Sequence, residues 1–193
     1  MRHFVYFSKS AQTSGNFDTN DLMRAGRMDI AIHTLISAFF LSHGFRKDVK
    51  IHLLFYGQPN PPRHIEIQVT DKLDISKKDV GNLIKKILYK YKEGKKTEVF
   101  PGCFIEKKSF LKVIEELQNE GKKIFILDKN GESIRKIKIP NESVFVLGDH
   151  EGLPKKELRR LKSISESVSI GNKMYFASQV VAIVNNELDV RNI

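Results

Sequence analysis

Hydrophobic and polar positions along this chain follow two periods. Short apolar runs rich in β-branched and aromatic residues fall at His3–Ser8, Val49–Tyr56, Lys122–Leu127, Val144–Leu147 and Ser167–Ile170, and each predicts a buried strand. His64–Val69 (HIEIQV) alternates polar with apolar and predicts a half-exposed or edge strand; Ile134–Ile139 alternates in the same way before Pro140. Helical spacing appears at Ile30–Phe45, Ser76–Tyr91, Ser109–Asn119, the stretch after Pro154, and Lys173–Asn186. Gly44 suits the end of the first helix, Gly57–Pro62 is a break, Val99–Ile105 is a turn or short strand, and Asn130-Gly131 predicts a turn. Strands and helices alternate, so the expected fold is α/β, a mostly parallel sheet with helices on both faces. No repeat or linker divides the chain, and residues 1–193 are expected to form one domain.

The stretch from Ser143 to Asn186 reads strand, glycine loop, helix, strand, glycine loop, helix. The first loop is Gly148-Asp149-His150-Glu151-Gly152, and the second begins at Gly171-Asn172. Glycines let a backbone turn sharply and approach a ligand, and α/β folds bind ligands beyond the carboxyl ends of their strands. Neither loop is a P-loop or a dinucleotide fingerprint. A second candidate region follows the first strand. Ser10–Asp21 is long and polar, and Arg24, Arg27 and Asp29 then lead into an apolar helix. A carboxylate at a helix start is ordinary stabilisation; two arginines beside it also suit phosphate binding or an ion pair at a polar site.

Composition narrows the function. The chain carries 33 Lys and Arg against 23 Asp and Glu, a net charge of +10, which favours a polyanionic partner such as nucleic acid. The lysine-rich face of Ser76–Tyr91 is solvated surface or a phosphate-tracking face; Lys155–Lys162 is basic too, but the surrounding strand pattern counts against a helix-turn-helix. The lone Cys103 rules out an intramolecular disulfide and a cysteine zinc cluster, and the six histidines form no metal-ligand spacing, so no metal is expected. The chain enters a strand pattern at once, and its most apolar stretch is too short to span a membrane. A cytoplasmic protein without membrane contact is expected.

Three motifs then carry a resemblance: FVLGDHEGL at Phe145–Leu153, SIGNKMYFASQVVAIVNNELD at Ser169–Asp189, and AGRMDI at Ala25–Ile30. Together they resemble the knotted SPOUT methyltransferases, and among them the tRNA pseudouridine-54 N1-methyltransferase family. The resemblance implies a trefoil knot at about 125–190, an exception to unknotted topology. It implies S-adenosylmethionine held by Leu127, Gly148, Gly152, Ser169, Ile170, Gly171, Asn172, Lys173, Met174, Ser178 and Val180. The family often has His-Cys where this chain has Gln179-Val180, a departure that leaves a backbone-built pocket intact. The resemblance further implies a homodimer contacting through Met174–Leu188, and tRNA as substrate. Asp29 and Arg27 would be catalytic, Asp29 taking the N1 proton, while Arg24, Arg27 and His150 face the RNA. Rival readings are a knotted enzyme acting on a ribosomal pseudouridine or a ribose 2′-hydroxyl, and a non-enzymatic RNA-binding protein.

Overall fold

The computed structural model describes residues 1–73 and 75–193. The strands are β1 (Arg2–Ser8), β2 (Phe40–Leu41), β3 (Gly44–Phe45), β4 (Val49–Phe55), β5 (Arg63–Gln68), β6 (Thr97–Phe100), β7 (Cys103–Glu106), β8 (Lys123–Ser133), β9 (Ser143–Gly148) and β10 (Glu166–Ser169). The helices are α1 (Met28–Phe39), α2 (Val80–Tyr89), α3 (Phe110–Asn119), α4 (Lys155–Lys162) and α5 (Ala177–Val190). Eight strands form one sheet in the order β10-β8-β9-β1-β4-β5-β7-β6. The five strands from β10 to β4 are mutually parallel, and β5, β7 and β6 add an antiparallel wing.

Period-two alternation in the central strands divides the core between two faces. On one face Phe4, Tyr6, Phe145 and Leu147 pack with Leu35 of α1, Ile84 of α2 and Val181 of α5. On the other, Val5, Phe7, Val144 and Val146 pack with Phe110 and Val113 of α3 and Leu161 of α4. Helices therefore cover both faces, as expected, and β1, β8, β9 and β10 all run toward the same edge. Among the described residues no helix is long and apolar enough to cross a membrane.

Several boundaries differ from the sequence reading, each for a local reason. The first helix begins at Met28 and stops at Phe39, where Phe40 becomes extended and its ring packs edge-on against Phe45, 4.8 Å away. Gly44 thus belongs to a two-stranded ribbon and ends no helix. Val99–Ile105 lies within the β6–β7 hairpin. The expected turn at Asn130-Gly131 falls inside β8: a Cβ on Gly131 would lie 2.4 Å from the backbone of Ser167 and Val168, so this glycine permits close chain approach. Ile134–Ile139 is not a strand, and its alternation reflects Ile134 and Ile139 turning into the core. The last helix starts at Ala177, so Lys173–Phe176 extends the second glycine loop.

Three buried histidines form a line across β1, β4 and β5. His3 Nδ1 lies 3.3 Å from His52 Nε2, His52 Nδ1 lies 3.0 Å from His64 Nε2, and His64 Nδ1 lies 3.0 Å from Glu106 Oε1. The ring centres are 5.6 and 5.2 Å apart, with interplanar angles of 13°. Each centre-to-centre distance is the N···N distance plus two ring radii, so every ring aims its nitrogen edge-on at the next. His52, His64 and Glu66 come close enough to suggest a metal ligand group. Lone pairs aimed head-on cannot converge on one ion, however, and Glu66 is held by Lys50 and Lys96 at 3.1 and 3.0 Å. The arrangement is a hydrogen-bond chain. Glu106, held down to about 2 by His64 and Lys108 against its own burial, accepts at one end and so fixes each Nδ1 as the donor.

This chain makes stability fall with acid. Burial, with Lys122 and Lys50 nearby, lowers His3 to about 4, and burial beside two other histidines lowers His52 well below its usual value. The unfolded chain takes up these protons near pH 6.5 while the folded chain refuses them, so stability is full above that pH and falls as pH drops toward 4. Urea unfolding is expected to lose on the order of 2–4 kcal/mol between about pH 7.5 and pH 5. His52→Gln should flatten that slope; an equally steep slope in the variant would remove the histidines as its cause.

Candidate active site

Beyond the carboxyl ends of the parallel strands lies a cavity of about 540 Å³, within the range that holds a cofactor-sized molecule. Four segments build it. β8 gives Ile126, Leu127 and Asp128; β9 and its loop give Leu147 through His150, Gly152 and Leu153; the loop after β10 gives Ile170, Gly171 and Lys173 through Phe176; α5 gives Ala177 and Val180. Ile30 of α1 and Leu158 of α4 complete the wall.

The first glycine loop is tight because its ends meet. Asp149 N donates to Phe7 O at 2.9 Å and Gly152 N donates to Asp149 O at 3.0 Å. Gly152 has φ +75°, and a Cβ on Gly148 would lie 2.5 Å from the Gly152 carbonyl carbon. Asp149 turns its carboxylate inward, where it accepts from Ser8 Oγ at 2.7 Å and from Glu151 N at 2.8 Å. In the second loop Ser169 Oγ accepts from Gly171 N at 3.2 Å and donates to Gly171 O at 3.0 Å. Gln179 Oε1 accepts from Phe176 N at 3.0 Å, so this side chain serves the helix start.

Of the residues proposed to hold the methyl donor, Leu127, Gly148, Gly152, Ile170, Gly171, Lys173, Met174 and Val180 line the cavity. Ser169 and Asn172 line a smaller adjoining cavity with Gly131 and Arg135, and Ser178 lines neither. His150 is on the wall and half-exposed. Among the lining residues the sequence reading did not assign are Leu147, Leu153, Leu158, Tyr175 and Phe176, and also Asp128. Leu147, the last residue before Gly148, and Asp128, straight after the Lys122–Leu127 run, are positions a strand-end rule could have found.

The arginine–aspartate pair directly precedes Ile30, the α1 residue on the cavity wall, and by that adjacency borders the site without lining it. Arg27 occupies the left-handed region, φ 62° and ψ 40°, immediately before α1. Such backbone is strained for a residue that carries a Cβ and collects at functional sites. Gly26 makes the approach possible, since a Cβ there would sit 1.8 Å from Ser10 O. From this position Arg27 grips Asp29 with two parallel bonds, Nε to Oδ1 and Nη2 to Oδ2, each 3.0 Å. The bonded Arg27 guanidinium holds the Asp29 carboxyl below its usual range and raises Arg27 in turn. Arg24 is nearly fully exposed and pairs with Asp21 at 3.1 Å. Beneath the pair, Tyr6 is buried with its hydroxyl unpartnered. Burial, then the Asp149 and Asp29 carboxylates, push that phenol up, so it stays protonated. Cys103 is buried in the antiparallel wing and burial pushes its thiol up to about 12, which leaves it no nucleophile.

The lining suits S-adenosylmethionine: apolar walls for an adenine face, and glycine backbone that can approach polar edges closely. The family pattern described as "Putative SAM-dependent RNA methyltransferase" matches residues 1–193. The tRNA (pseudouridine(54)-N(1))-methyltransferase of Thermococcus gammatolerans is 39% identical, over 98% of this chain and 97% of its own length. The protein of the same name from Methanocaldococcus jannaschii is 32% identical over 100% and 98%. Among solved structures, Archaeoglobus fulgidus Nep1 bound to S-adenosylhomocysteine superposes with a TM-score of 0.65 over 99% of each chain, at 14% identity. That likeness shows a shared fold.

Proposed function

The chain belongs to the family of SAM-dependent RNA methyltransferases, and from that premise we propose that it methylates N1 of pseudouridine at position 54 of tRNA. The observation that carries the reading is the Arg27–Asp29 pair at the rim of a glycine-walled cavity, in a chain similar over its whole length to enzymes named for that reaction. Leu127, Gly148, Gly152, Ile170, Gly171 and Val180 would hold S-adenosylmethionine, which supplies a methyl group on a positively charged sulfur.

The chain's own residues then have to orient N1 and remove its proton. Pseudouridine exposes N1–H because its glycosidic bond is to carbon. An Asp29 carboxylate whose proton affinity Arg27 has lowered is too weak a base to strip that proton beforehand. It can accept a hydrogen bond from N1–H and so aim the nitrogen. As N1 gains its new bond to carbon, its proton becomes strongly acidic, and even a weak carboxylate then takes it and passes it to water. Arg27 holds the Asp29 carboxylate charged and in place through its two 3.0 Å bonds. Much of the acceleration comes from orientation, and the base must leave its stack to reach the cavity.

The same reading makes residues 1–193 one domain with a trefoil knot at about 125–190. Supporting the knot, residues 131–137 lie across the C-terminal segments. Ile134 N donates to Ser169 O at 2.8 Å, and Arg191 donates to the Ile134 and Ile137 carbonyls at 2.6 and 2.8 Å. A homodimer through α5 is supported by exposed Val190 and half-exposed Val180 and Ile183. A cytoplasmic location belongs to the same proposal, since tRNA would be the substrate.

Nuclease digestion and mass spectrometry of the methylated tRNA test the reaction. The added mass is expected on the base, as N1-methylpseudouridine. Mass on a ribose would instead assign 2′-hydroxyl chemistry, and no added mass with intact tRNA binding would leave a binding protein.

A further inference from the structure

We propose that the outer face of α4 seats the RNA phosphate backbone next to the nucleotide that enters the cavity. The inference rests on the methyltransferase reading and adds the surface that grips its substrate.

The helix has two unlike sides. Leu161 is buried against Val144 and Val146, while Leu158, with Leu153 just before the helix, forms part of the cavity wall. The other side carries Lys155, Lys156, Arg159 and Arg160, all exposed, and none makes an ion pair among the described residues. Charged side chains at α3 and α5 are matched instead: Lys112 with Glu115 and Lys108 with Glu116 at α3, and Arg191 with Glu187 at the end of α5. On α2 Lys86 is also exposed without an ion pair among the described residues, but that helix contributes nothing to the cavity wall.

The spacing is unfavourable in the free protein. Lys155 and Arg159 are four residues apart, as are Lys156 and Arg160, so each pair stacks like charges along one helix row. Lys155 and Lys156 also sit in the first turn, where the helix dipole disfavours cations. Glu157 is the one acidic residue of the helix. A helix of eight residues anchored by two leucines carries this repulsion with no ion pair to these four cations among the described residues. A polyanion lying along the outer face relieves both terms. Because the same helix walls the cavity with its inner side, a strand held there delivers its nucleotide to the Arg27–Asp29 rim.

The test compares two sets of four charge removals. One protein carries Lys155→Gln, Lys156→Gln, Arg159→Gln and Arg160→Gln. The other carries Lys77→Gln, Lys78→Gln, Lys86→Gln and Lys90→Gln, likewise exposed positions on and flanking α2, which contributes nothing to the cavity. Binding to a tRNA transcript containing pseudouridine 54 is measured against salt without methyl donor, and S-adenosylmethionine affinity is measured separately. The α4 set is expected to weaken tRNA binding roughly 10- to 100-fold near physiological salt and to reduce the log–log salt slope by about three, with donor affinity unchanged. The α2 set is expected to change tRNA affinity less than about threefold. An unchanged slope in the α4 set, or an equal loss in the α2 set, would overturn the proposal. Tight, α4-dependent tRNA binding by a protein that transfers no methyl group would sink the reaction assignment and leave this surface standing.

Discussion

Asp29→Asn is expected to lower the single-turnover rate of methyl transfer by about 10²- to 10⁴-fold while leaving S-adenosylmethionine affinity within about twofold. The substitution keeps the shape of the side chain and removes its charge. Asp29 does not line the cavity, so the donor site should be untouched. What changes is the rim. Asparagine cannot take the N1 proton, and Arg27 keeps at most one of the two 3.0 Å bonds, because the amide offers a single acceptor oxygen. The depressed carboxyl of Asp29 adds a pH signature. Its reactive form is the charged one, so the rate should hold through the neutral range, and any acid limb from this group should fall below the ordinary carboxylate range. Rapid quench with labelled donor reads the rate, and an unimpaired variant would remove Asp29 from the chemistry.

Gly148→Ala should abolish donor binding, a loss of at least about 100-fold by titration calorimetry. The added Cβ would stand 2.5, 2.7 and 2.8 Å from the carbonyl carbon, Cα and carbonyl oxygen of Gly152. All three are backbone atoms, so no side chain can swing aside and the loop itself must open. Opening it breaks the turn that Gly152 N closes on Asp149 O and moves the Asp149 carboxylate away from Ser8. Gly94→Ala is the matched control. Gly94 has positive φ, +69°, and a Cβ there meets nothing within 4 Å, so it tests backbone strain without a clash. It should cost about 1–2 kcal/mol of stability through backbone strain and leave donor affinity unchanged. Equal donor binding by the Gly148 variant would mean that this loop does not shape the pocket.

The strands of the parallel core were legible because β-branched and aromatic runs buried on both faces leave a continuous apolar signature. The two glycine loops were legible because each follows such a run. What the sequence concealed depends on contacts between distant segments. Gly131 resembles a turn residue by its neighbour Asn130, yet it is needed where Ser167 crosses β8. Lys173–Phe176 continues a helical pattern, but the chain stays extended there and Met174 and Phe176 are left exposed. The aspartate–serine bond between Asp149 and Ser8 spans most of the chain, and no local pattern announces it. The three histidines lie at unrelated spacings, and only the register of β1, β4 and β5 aligns them.

The most direct measurement is transfer of labelled methyl groups to two tRNA transcripts that differ only at position 54, one with uridine and one with pseudouridine. Uridine has its glycosidic bond at N1 and offers no N1–H there, so the account predicts transfer to the pseudouridine transcript alone. Equal transfer to both would place the reaction elsewhere on the tRNA and contradict the role given to the Arg27–Asp29 rim.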